Sequence, residues 1–168
     1  NRLLKEKFNY PIHIGLTESG TVLTGAIRSS YALGILLKEN IGDTIRVSLT
    51  ENPVEEVHAG WGILKSLGLR ERGVNFVSCP TCGRTQIDLI GLAKKVEKRF
   101  EDLNIPITIA TMGCPVNGPG EAKECDIGIA GGIGEAVLFK QGKIISKISE
   151  EDIITVLIKE INNIIEEK

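Results

Sequence analysis

The chain has 168 residues, enough for one ordinary domain or two small ones but too few for a complete eight-stranded α/β barrel of roughly 250 residues. Twenty basic and 22 acidic residues leave a net charge of −2, which provides no bulk field to hold nucleic acid or anionic lipid. Charged residues interrupt the long apolar stretches, and the first residues are not those of a secretory leader, so we expect a cytoplasmic protein with neither a membrane nor a nucleic-acid partner.

Residues 1–70 have the pattern of two successive β-α units. Short apolar runs predict buried parallel strands, and apolar residues at helical spacing predict the helices that follow them. Asn52 and Pro53 are typical of an N-cap and a first helical residue, and Gly68 is typical of a helix stop. The predicted elements are a strand at 11–16, a helix at 25–38, a strand at 44–49 and a helix from 53 to about 67.

The predicted strands of this half end in polar residues. Repeated β-α units indicate a parallel sheet or part of a barrel, in which functional residues lie at the C-terminal ends of the strands. Glu18, Arg46 and Ser48 occupy those ends and are candidates for contacts with a substrate. The same residues allow a second interpretation, in which Glu18 only caps a helix while Arg46 and Ser48 face a helix or solvent.

Charge and glycine at 69–73 interrupt the pattern and predict a domain boundary. Beyond it, Thr85 and Asp88 approximate a capping box, which predicts a helix from Gln86 to Asp102. The proline- and glycine-rich segment 111–121 is predicted to be a shaped loop. The predicted strands of this half are 74–78, 106–110, 126–130, 136–140 and 143–147.

Two local signals describe the end of the chain. Gln141-Gly142 is typical of a two-residue hairpin turn between the last two strands. Ser149, followed by acidic residues, is typical of the N-cap of a last helix that runs nearly to Lys168. The apolar residues of that helix form one stripe, which we expect to be core.

The four cysteines carry most of the functional information. In a cytosolic chain, thiols indicate metal or redox chemistry rather than structural disulfides. Cys79-x-x-Cys82 by itself is compatible with half of a zinc ribbon, a dithiol redox pair or part of a cluster site. The sequence contains no second close Cys or His pair that would complete a zinc ribbon.

Cys114 lies in the second shaped loop, and both cysteine loops follow predicted strands. We therefore expect their thiolates to converge at one edge of the sheet, where three thiolates suit an iron-sulfur centre. The remaining iron would take Glu121 or Cys125. An exchangeable oxygen ligand favours a catalyst, whereas four fixed thiolates favour an electron carrier.

Four segments together give a family resemblance that spans essentially the whole chain. The chain resembles the 4-hydroxy-3-methylbut-2-enyl diphosphate synthases, enzymes of the methylerythritol phosphate route to isoprenoids. The segments that carry the resemblance are His13-Ile14-Gly15-Leu16-Thr17-Glu18-Ser19-Gly20, Gly42-Asp43-Thr44-Ile45-Arg46-Val47-Ser48-Leu49, Cys79-Pro80-Thr81-Cys82-Gly83-Arg84 and Gly113-Cys114-Pro115-Val116-Asn117-Gly118-Pro119-Gly120-Glu121-Ala122.

The resemblance implies an α/β fold in two parts. Residues 1–70 would be the last two βα units of a TIM-type barrel and would bind substrate. Residues 73–168 would be a reductase-like (sulfite-reductase-like) α/β domain that holds a 4Fe-4S cluster. By the same resemblance, Glu18 is catalytic, the substrate contacts are Arg46, Ser48 and Asn117, and the cluster ligands are Cys79, Cys82, Cys114 and Glu121. Cys125 matches no ligand position and is expected to be a small buried residue.

The implied activity is the reductive ring opening and dehydroxylation of 2-C-methyl-D-erythritol 2,4-cyclodiphosphate to (E)-4-hydroxy-3-methylbut-2-enyl diphosphate. Reduced flavodoxin or ferredoxin would supply electrons to a homodimer in which the cluster domain of one chain caps the barrel of the other. The chain would correspond to the C-terminal part of such an enzyme and would be inactive alone. The alternative is a small iron-sulfur or metal-binding electron-transfer module without a substrate of its own, which would need no phosphate-facing Arg46.

Overall fold

A computed structural model describes residues 1–115 and 118–166, and for Pro119 and Glu121 it describes the backbone. The chain divides into two compact units, Asn1–Arg72 and Gly73–Lys168, and each unit has its own hydrophobic core. Within the described residues, no helix is both long and apolar enough to cross a membrane.

The first unit contains the two β-α units that its sequence predicts. Strands β1 and β2 pair in parallel, with Ile14 opposite Ile45. Both strands are shorter than predicted, and α2 begins at Val22 rather than Gly25, because Gly20 turns the chain at a positive φ of 106° and Thr21 becomes the N-cap. Helix α1 was not predicted. The elements are α1 (Arg2–Lys7), β1 (His13–Gly15), α2 (Val22–Lys38), β2 (Thr44–Arg46) and α3 (Pro53–Ser66).

Helix α3 begins and ends where its sequence signals indicate. The Asn52 side chain accepts a hydrogen bond of 3.0 Å from the Val54 N–H, and Pro53 is the first helical residue. Gly68 has a φ of 68°, a left-handed conformation that glycine adopts without steric cost and that ends the helix after its Leu67 C-cap. Both predictions are confirmed, because caps depend on local backbone hydrogen bonds.

The second unit is built on one five-stranded sheet in the order β3-β4-β5-β6-β7. Strands β3, β4 and β5 are parallel, whereas β6 and β7 are antiparallel to their neighbours. The elements are β3 (Val74–Ser78), α4 (Leu89–Phe100), β4 (Ile107–Met112), α5 (Gly118–Glu121), β5 (Ile127–Gly131), β6 (Glu135–Lys140), β7 (Lys143–Ser149), a 3₁₀ turn (Glu150–Asp152) and α6 (Ile153–Glu166).

Side chains cover both faces of this sheet. On one face, α4 and α6 contribute Val96, Leu157 and Ile161 to a cluster with Ile127 and Ile129 of β5. On the other face, a second cluster is made of Ala110, Met112, Ala122, Cys125, Ala130, Val137 and Phe139. The predicted apolar stripe of the last helix is confirmed as core, with Ile153, Leu157, Ile161 and Ile164 buried.

Thr85 does not cap α4, so the predicted capping box is wrong. The Asp88 side chain caps the helix by accepting a 3.0 Å hydrogen bond from the Gly91 N–H, and α4 therefore begins at Leu89 instead of Gln86. Thr85 bonds to Cys82 instead. An acidic N-cap also interacts favourably with the positive end of the helix dipole.

The segment 111–121 is more regular than the predicted loop. Strand β4 continues through Thr111 and Met112, since Thr111 pairs with Ser78 and Met112 with Ala130. Helix α5 follows at Gly118, and its turn is closed by a 3.0 Å bond from the Ala122 N–H to the Gly118 carbonyl. A proline is compatible with a first helical turn because the amide that it lacks would have no partner within the helix.

The hairpin prediction is confirmed at the end of the sheet. Gln141 and Gly142 both have positive φ values, 47° and 74°, as a two-residue turn between right-twisted strands requires. Ser149 precedes a 3₁₀ turn rather than α6 itself, and its hydroxyl donates to the Asp152 carboxylate at 2.7 Å. The last helix therefore begins at Ile153, later than predicted.

Candidate functional site

The two cysteine loops leave the same edge of the five-stranded sheet. Cys79 follows the last residue of β3, and Cys114 lies two residues beyond the end of β4. These strands are parallel, and Ser78 at the end of β3 pairs with Thr111, the residue before the end of β4, so both loops begin at the carboxyl edge of the sheet. The Cys79 N–H continues the ladder by donating to the Thr111 carbonyl at 3.4 Å.

Hydrogen bonds join the two loops directly. The Gly113 N–H donates to Cys79 Sγ at 3.2 Å, and the Gln86 N–H donates to the Gly113 carbonyl at 3.0 Å. The residue before Cys114 is thus held on both sides by the loop that carries Cys79 and Cys82. Hydrogen bonds to sulfur are among the features that tune iron-sulfur clusters.

The three thiols of these loops differ in exposure and acidity. Cys82 is exposed, Cys79 is half-buried and Cys114 is buried. The pKa of Cys82 lies below its ordinary value, chiefly because the Arg84 backbone N–H hydrogen-bonds the thiol and also because the Arg84 side chain does so. A lowered pKa favours the thiolate, which is the form that binds metals.

The donor set fits an iron-sulfur cluster in chemistry, since thiolates are the ligands that such clusters take. Three thiols lie in adjacent strand-end loops, and one sulfur already accepts a backbone N–H. Within residues 1–115 and 118–166, however, no three His, Cys, Asp or Glu side chains are grouped closely enough to hold a metal ion. Glu121 ends α5, and its side chain is not among those described, so its role as fourth ligand stays a prediction.

Cys125 lies at the opposite edge of the sheet. It precedes β5, whereas Cys79 and Cys114 follow strands parallel to β5. Its side chain is 5% exposed and packs in the second core cluster, which confirms the expectation of a small buried residue. Burial raises the pKa of its thiol, and the nearby Asp126 and Glu124 raise it further.

In the first unit, the two-stranded sheet has one apolar and one polar face. Ile14 and Val47 pack against α2 and α3 in the core. On the other face, His13, Thr44 and Arg46 are exposed. His13 Nδ1 lies 2.7 Å from Thr44 Oγ1, and Arg46 Nη2 donates to Thr17 Oγ1 at 2.6 Å.

The predicted residues Glu18, Arg46 and Ser48 lie in two strand-end segments that are bonded together. Arg46 bonds to Thr17, the neighbour of Glu18. Ser19 is buried, and its hydroxyl donates to the Ser48 carbonyl. Glu18 itself is exposed with a φ of 62°, an uncommon value for a residue with a Cβ. Asn117, the fourth predicted residue of this group, lies outside the described residues.

The sequence matches one family in both units. Residues 1–61 match the GcpE TIM-barrel domain, and residues 75–163 match the GcpE protein C-terminal domain. The chain belongs to the GcpE family. The fold agrees with this at the level of a TIM-barrel segment followed by a mixed α/β domain, and the family resemblance of the motifs is confirmed.

Relatives in the GcpE family agree over nearly the whole chain. A 4-hydroxy-3-methylbut-2-en-1-yl diphosphate synthase (flavodoxin) of Geobacter sulfurreducens is 56% identical over 167 residues, which are 99% of this chain and 47% of the relative. Proteins of the same name from Clostridium acetobutylicum and Ruminiclostridium cellulolyticum are each 59% identical over 96% of this chain and 46% of their own length. The chain thus spans about half the length of these curated relatives.

Several residues near the GcpE motifs make contacts that the sequence did not predict. Arg84 lowers the pKa of the Cys82 thiol through its hydrogen bonds, and the Thr85 hydroxyl accepts from the Cys82 N–H. Arg28 Nη1 donates to the Ser19 carbonyl at 3.3 Å beside Glu18. Thr85 lies three residues after Cys82 and three residues before Asp88. The second spacing is typical of a capping box, so the sequence predicted a helix cap instead of a bond to Cys82. His13 shares a face with Arg46 through the two-residue period of parallel strands, a signal that was present in the sequence.

Proposed function

We propose that this chain supplies the cluster-binding part and a portion of the substrate site of a 4-hydroxy-3-methylbut-2-enyl diphosphate synthase. The reaction is the reductive ring opening of 2-C-methyl-D-erythritol 2,4-cyclodiphosphate, which consumes two electrons and removes one hydroxyl as water. The observation that carries the proposal is the hydrogen-bonded junction of the Cys79–Cys82 loop with the Cys114 loop. The names of the relatives support it at 56% to 59% identity.

Cys79, Cys82, Cys114 and Glu121 would hold a 4Fe-4S cluster. When bound, such a cluster supplies electrons one at a time and a Lewis-acidic iron for a substrate oxygen. The Gly113 N–H, which already donates to Cys79 Sγ, would partly neutralise the charge on a ligand sulfur. Glu121 would be the weakest of the four ligands, because a carboxylate binds soft iron less tightly than a thiolate does.

The polar face of the first unit would bind the substrate. The guanidinium of Arg46 is exposed, and its planar fork suits two phosphate oxygens at once. Glu18 would hold or donate a proton beside the diphosphate, and its left-handed backbone directs the loop at the end of β1. Ser48 and Asn117 would add hydrogen bonds to the substrate.

The two units would have separate roles. Residues 1–70 would belong to the substrate-binding barrel as its last two βα units, and residues 73–168 would form the cluster-binding, sulfite-reductase-like domain. Reduced flavodoxin or ferredoxin would donate the electrons, and a homodimer would place a cluster domain over a barrel. Two β-α units cannot close an eight-stranded barrel, so we expect this 168-residue chain to be inactive alone.

The cluster assignment is tested by anaerobic reconstitution of the chain with iron and sulfide. The wild-type chain should bind about four irons per chain and absorb visible light. Cys79→Ser should abolish that absorption, whereas the matched variant Cys125→Ser, whose thiol lies at the other edge of the sheet, should retain it. Equal loss in both variants, or no uptake by the wild-type chain, would contradict the assignment.

The activity is tested in a chimera that places before this chain the part of the Geobacter sulfurreducens enzyme that the chain does not match. With reduced flavodoxin and the cyclodiphosphate, the chimera should turn over and the isolated chain should not. Glu121→Ala should retain iron and lose most turnover, and Arg46→Gln should raise the KM. A chimera that binds the cluster and reduces partner proteins but never binds the cyclodiphosphate would favour the electron-transfer module instead.

A further inference from the structure

Thr85 closes the turn that begins at Cys82, the second cysteine of the Cys79–Cys82 loop. Its hydroxyl accepts a 3.1 Å hydrogen bond from the Cys82 N–H, and its own N–H donates to the Cys82 carbonyl at 3.0 Å. The backbone of Cys82 is therefore held at both its N–H and its carbonyl by one residue.

The same side chain sets the distance to the loop that carries Cys114. A Cβ added to Gly113 would lie 3.0 Å from both Cγ2 and Oγ1 of Thr85, which is tighter than ordinary van der Waals contact. Gly113 therefore permits Thr85 to lie directly against the backbone that precedes Cys114. The next residue, Gln86, then donates to the Gly113 carbonyl.

The ordinary explanation of a threonine at this position does not hold. Thr85 would be an N-cap if its side chain bonded the first turn of α4, but Asp88 performs that function through the Gly91 N–H. The hydroxyl of Thr85 instead faces the cysteine loop. Its contacts join the segment of Cys82 to Gly113, the residue before Cys114. The Gly113 N–H in turn donates to Cys79 Sγ.

From these contacts we propose that Thr85 is a positioning residue for the cluster ligands: its hydroxyl orients Cys82 and its methyl group sets the separation from the Gly113-Cys114 segment. This inference rests on the proposed function, in which these cysteines bind a 4Fe-4S cluster. Groups that orient metal ligands affect metal affinity although they do not touch the metal, typically by roughly 10- to 100-fold.

The test compares Thr85→Val with Thr85→Ser. Valine keeps the shape of threonine and removes the hydroxyl, whereas serine keeps the hydroxyl and removes the methyl group. Thr81→Val is the matched control, because Thr81 is an exposed threonine of the same loop. Far-UV circular dichroism should show that all three variants fold like the wild-type chain.

The first measurement needs no cluster. In the metal-free chain, the amide hydrogen of Cys82 should exchange with solvent roughly fivefold faster in Thr85→Val, since one hydrogen bond is lost. Thr85→Ser should exchange at the wild-type rate. An unchanged rate in Thr85→Val would overturn the inference at its first step.

The second measurement uses the anaerobically loaded chain. Thr85→Val should lose iron to a competing chelator at roughly 10-fold or more lower concentration than the wild-type chain, and its midpoint potential should differ from the wild-type value, because the hydrogen bonds around a ligand cysteine help to set the potential of a cluster. Thr85→Ser should restore the potential. The Thr81→Val control should match the wild-type chain in both measurements.

The outcomes distinguish a failure of the Thr85 role from a failure of the proposed cluster-binding function. If a loaded wild-type chain and Thr85→Val have equal iron retention and equal potential, the positioning role is overturned while the cluster remains. If the wild-type chain takes up no iron, the proposed function fails, and the positioning role fails with it. Faster amide exchange together with a shifted potential and rescue by serine supports the role of Thr85.

Discussion

The two sheets of this protein use their faces differently. In the five-stranded sheet the central strands are covered on both faces, and every residue of β5 is buried, whereas the edge strand β7 is largely exposed. In the two-stranded sheet one face packs on α2 and α3, while the other exposes His13, Thr44 and Arg46. The exposed face is polar, with each of its side chains at alternate strand positions. The central strands of the second unit thus serve packing and leave its candidate ligands to the loops, whereas the candidate substrate residue Arg46 of the first unit lies on a strand face itself.

This comparison predicts that substitution of a core residue of the second unit causes the largest loss of stability. Phe139 is 0% exposed and lies against Gly128, where no Cβ has room. Phe139→Ala should lower the free energy of unfolding of that unit by roughly 3 to 5 kcal/mol. Urea denaturation followed by circular dichroism measures the loss. The control Ile133→Ala, at a residue 82% exposed in the same unit, should change it by less than about 0.5 kcal/mol.

A smaller effect is expected where α5 approaches the sheet. A Cβ on Gly118 would lie 2.7 Å from the Ala130 Cβ and 2.8 Å from the Met112 Cβ, so Gly118→Ala should cost roughly 1 to 3 kcal/mol by overpacking. Gly120, in the same helix, has no atom within 4 Å of an added Cβ. Gly120→Ala should be neutral or stabilising, because alanine favours the helix. Equal denaturation midpoints for the two variants would show that α5 is not held closely against the sheet.

In the first unit, the bond between the two strand-end segments should contribute less. Ser19 is 1% exposed, and its hydroxyl donates to the Ser48 carbonyl. Ser19→Ala leaves that carbonyl without this donor and should cost about 1 kcal/mol. Ser30→Ala, at an exposed position of α2, is the control and should not destabilise the unit. Thermal unfolding of both variants measures the difference. Equal melting temperatures for the two variants would show that the Ser19 bond does not stabilise the unit.

The smallest change concerns reactivity rather than stability, and it compares the two edges of the five-stranded sheet. In the metal-free chain, iodoacetamide should modify Cys82 before Cys125 at neutral pH. Hydrogen bonds from Arg84 lower the pKa of Cys82, so its thiolate forms at lower pH, whereas burial raises the pKa of Cys125. As the pH rises, the alkylation rate of Cys82 should therefore increase first. Mass spectrometry of the labelled peptides measures the order, and earlier labelling of Cys125 would contradict it.

Elements defined by neighbouring residues could be predicted from the sequence. The Asn52-Pro53 helix start and the Gln141-Gly142 hairpin follow from interactions within one helix or one turn. The stripe around Leu157 follows from the spacing of apolar residues within one helix. The alternation of strands and helices was also predicted, because hydrophobic periodicity reflects burial on one side of each element. The spacing of the cysteines, together with the proline and glycine residues around them, was sufficient to indicate the candidate cluster site.

Contacts between distant segments required the tertiary structure. The Thr85 side chain could bond either Cys82 or the first turn of α4, and both lie within a few residues of it. It bonds Cys82, in a position where it also lies against Gly113, which is far along the chain. The short helix α5 forms in a segment whose prolines and glycines indicate a loop, and Gly118 lets its backbone lie directly against Ala130 and Met112 of distant strands. The left-handed backbone of Glu18 likewise lies beside a bond from Ser19 to Ser48, which follows the end of the next strand. The sequence by itself therefore determined which residue types are candidates for the chemistry and where most of the regular segments lie, whereas only the tertiary structure decided how the loops meet, because those contacts join residues that no local pattern relates.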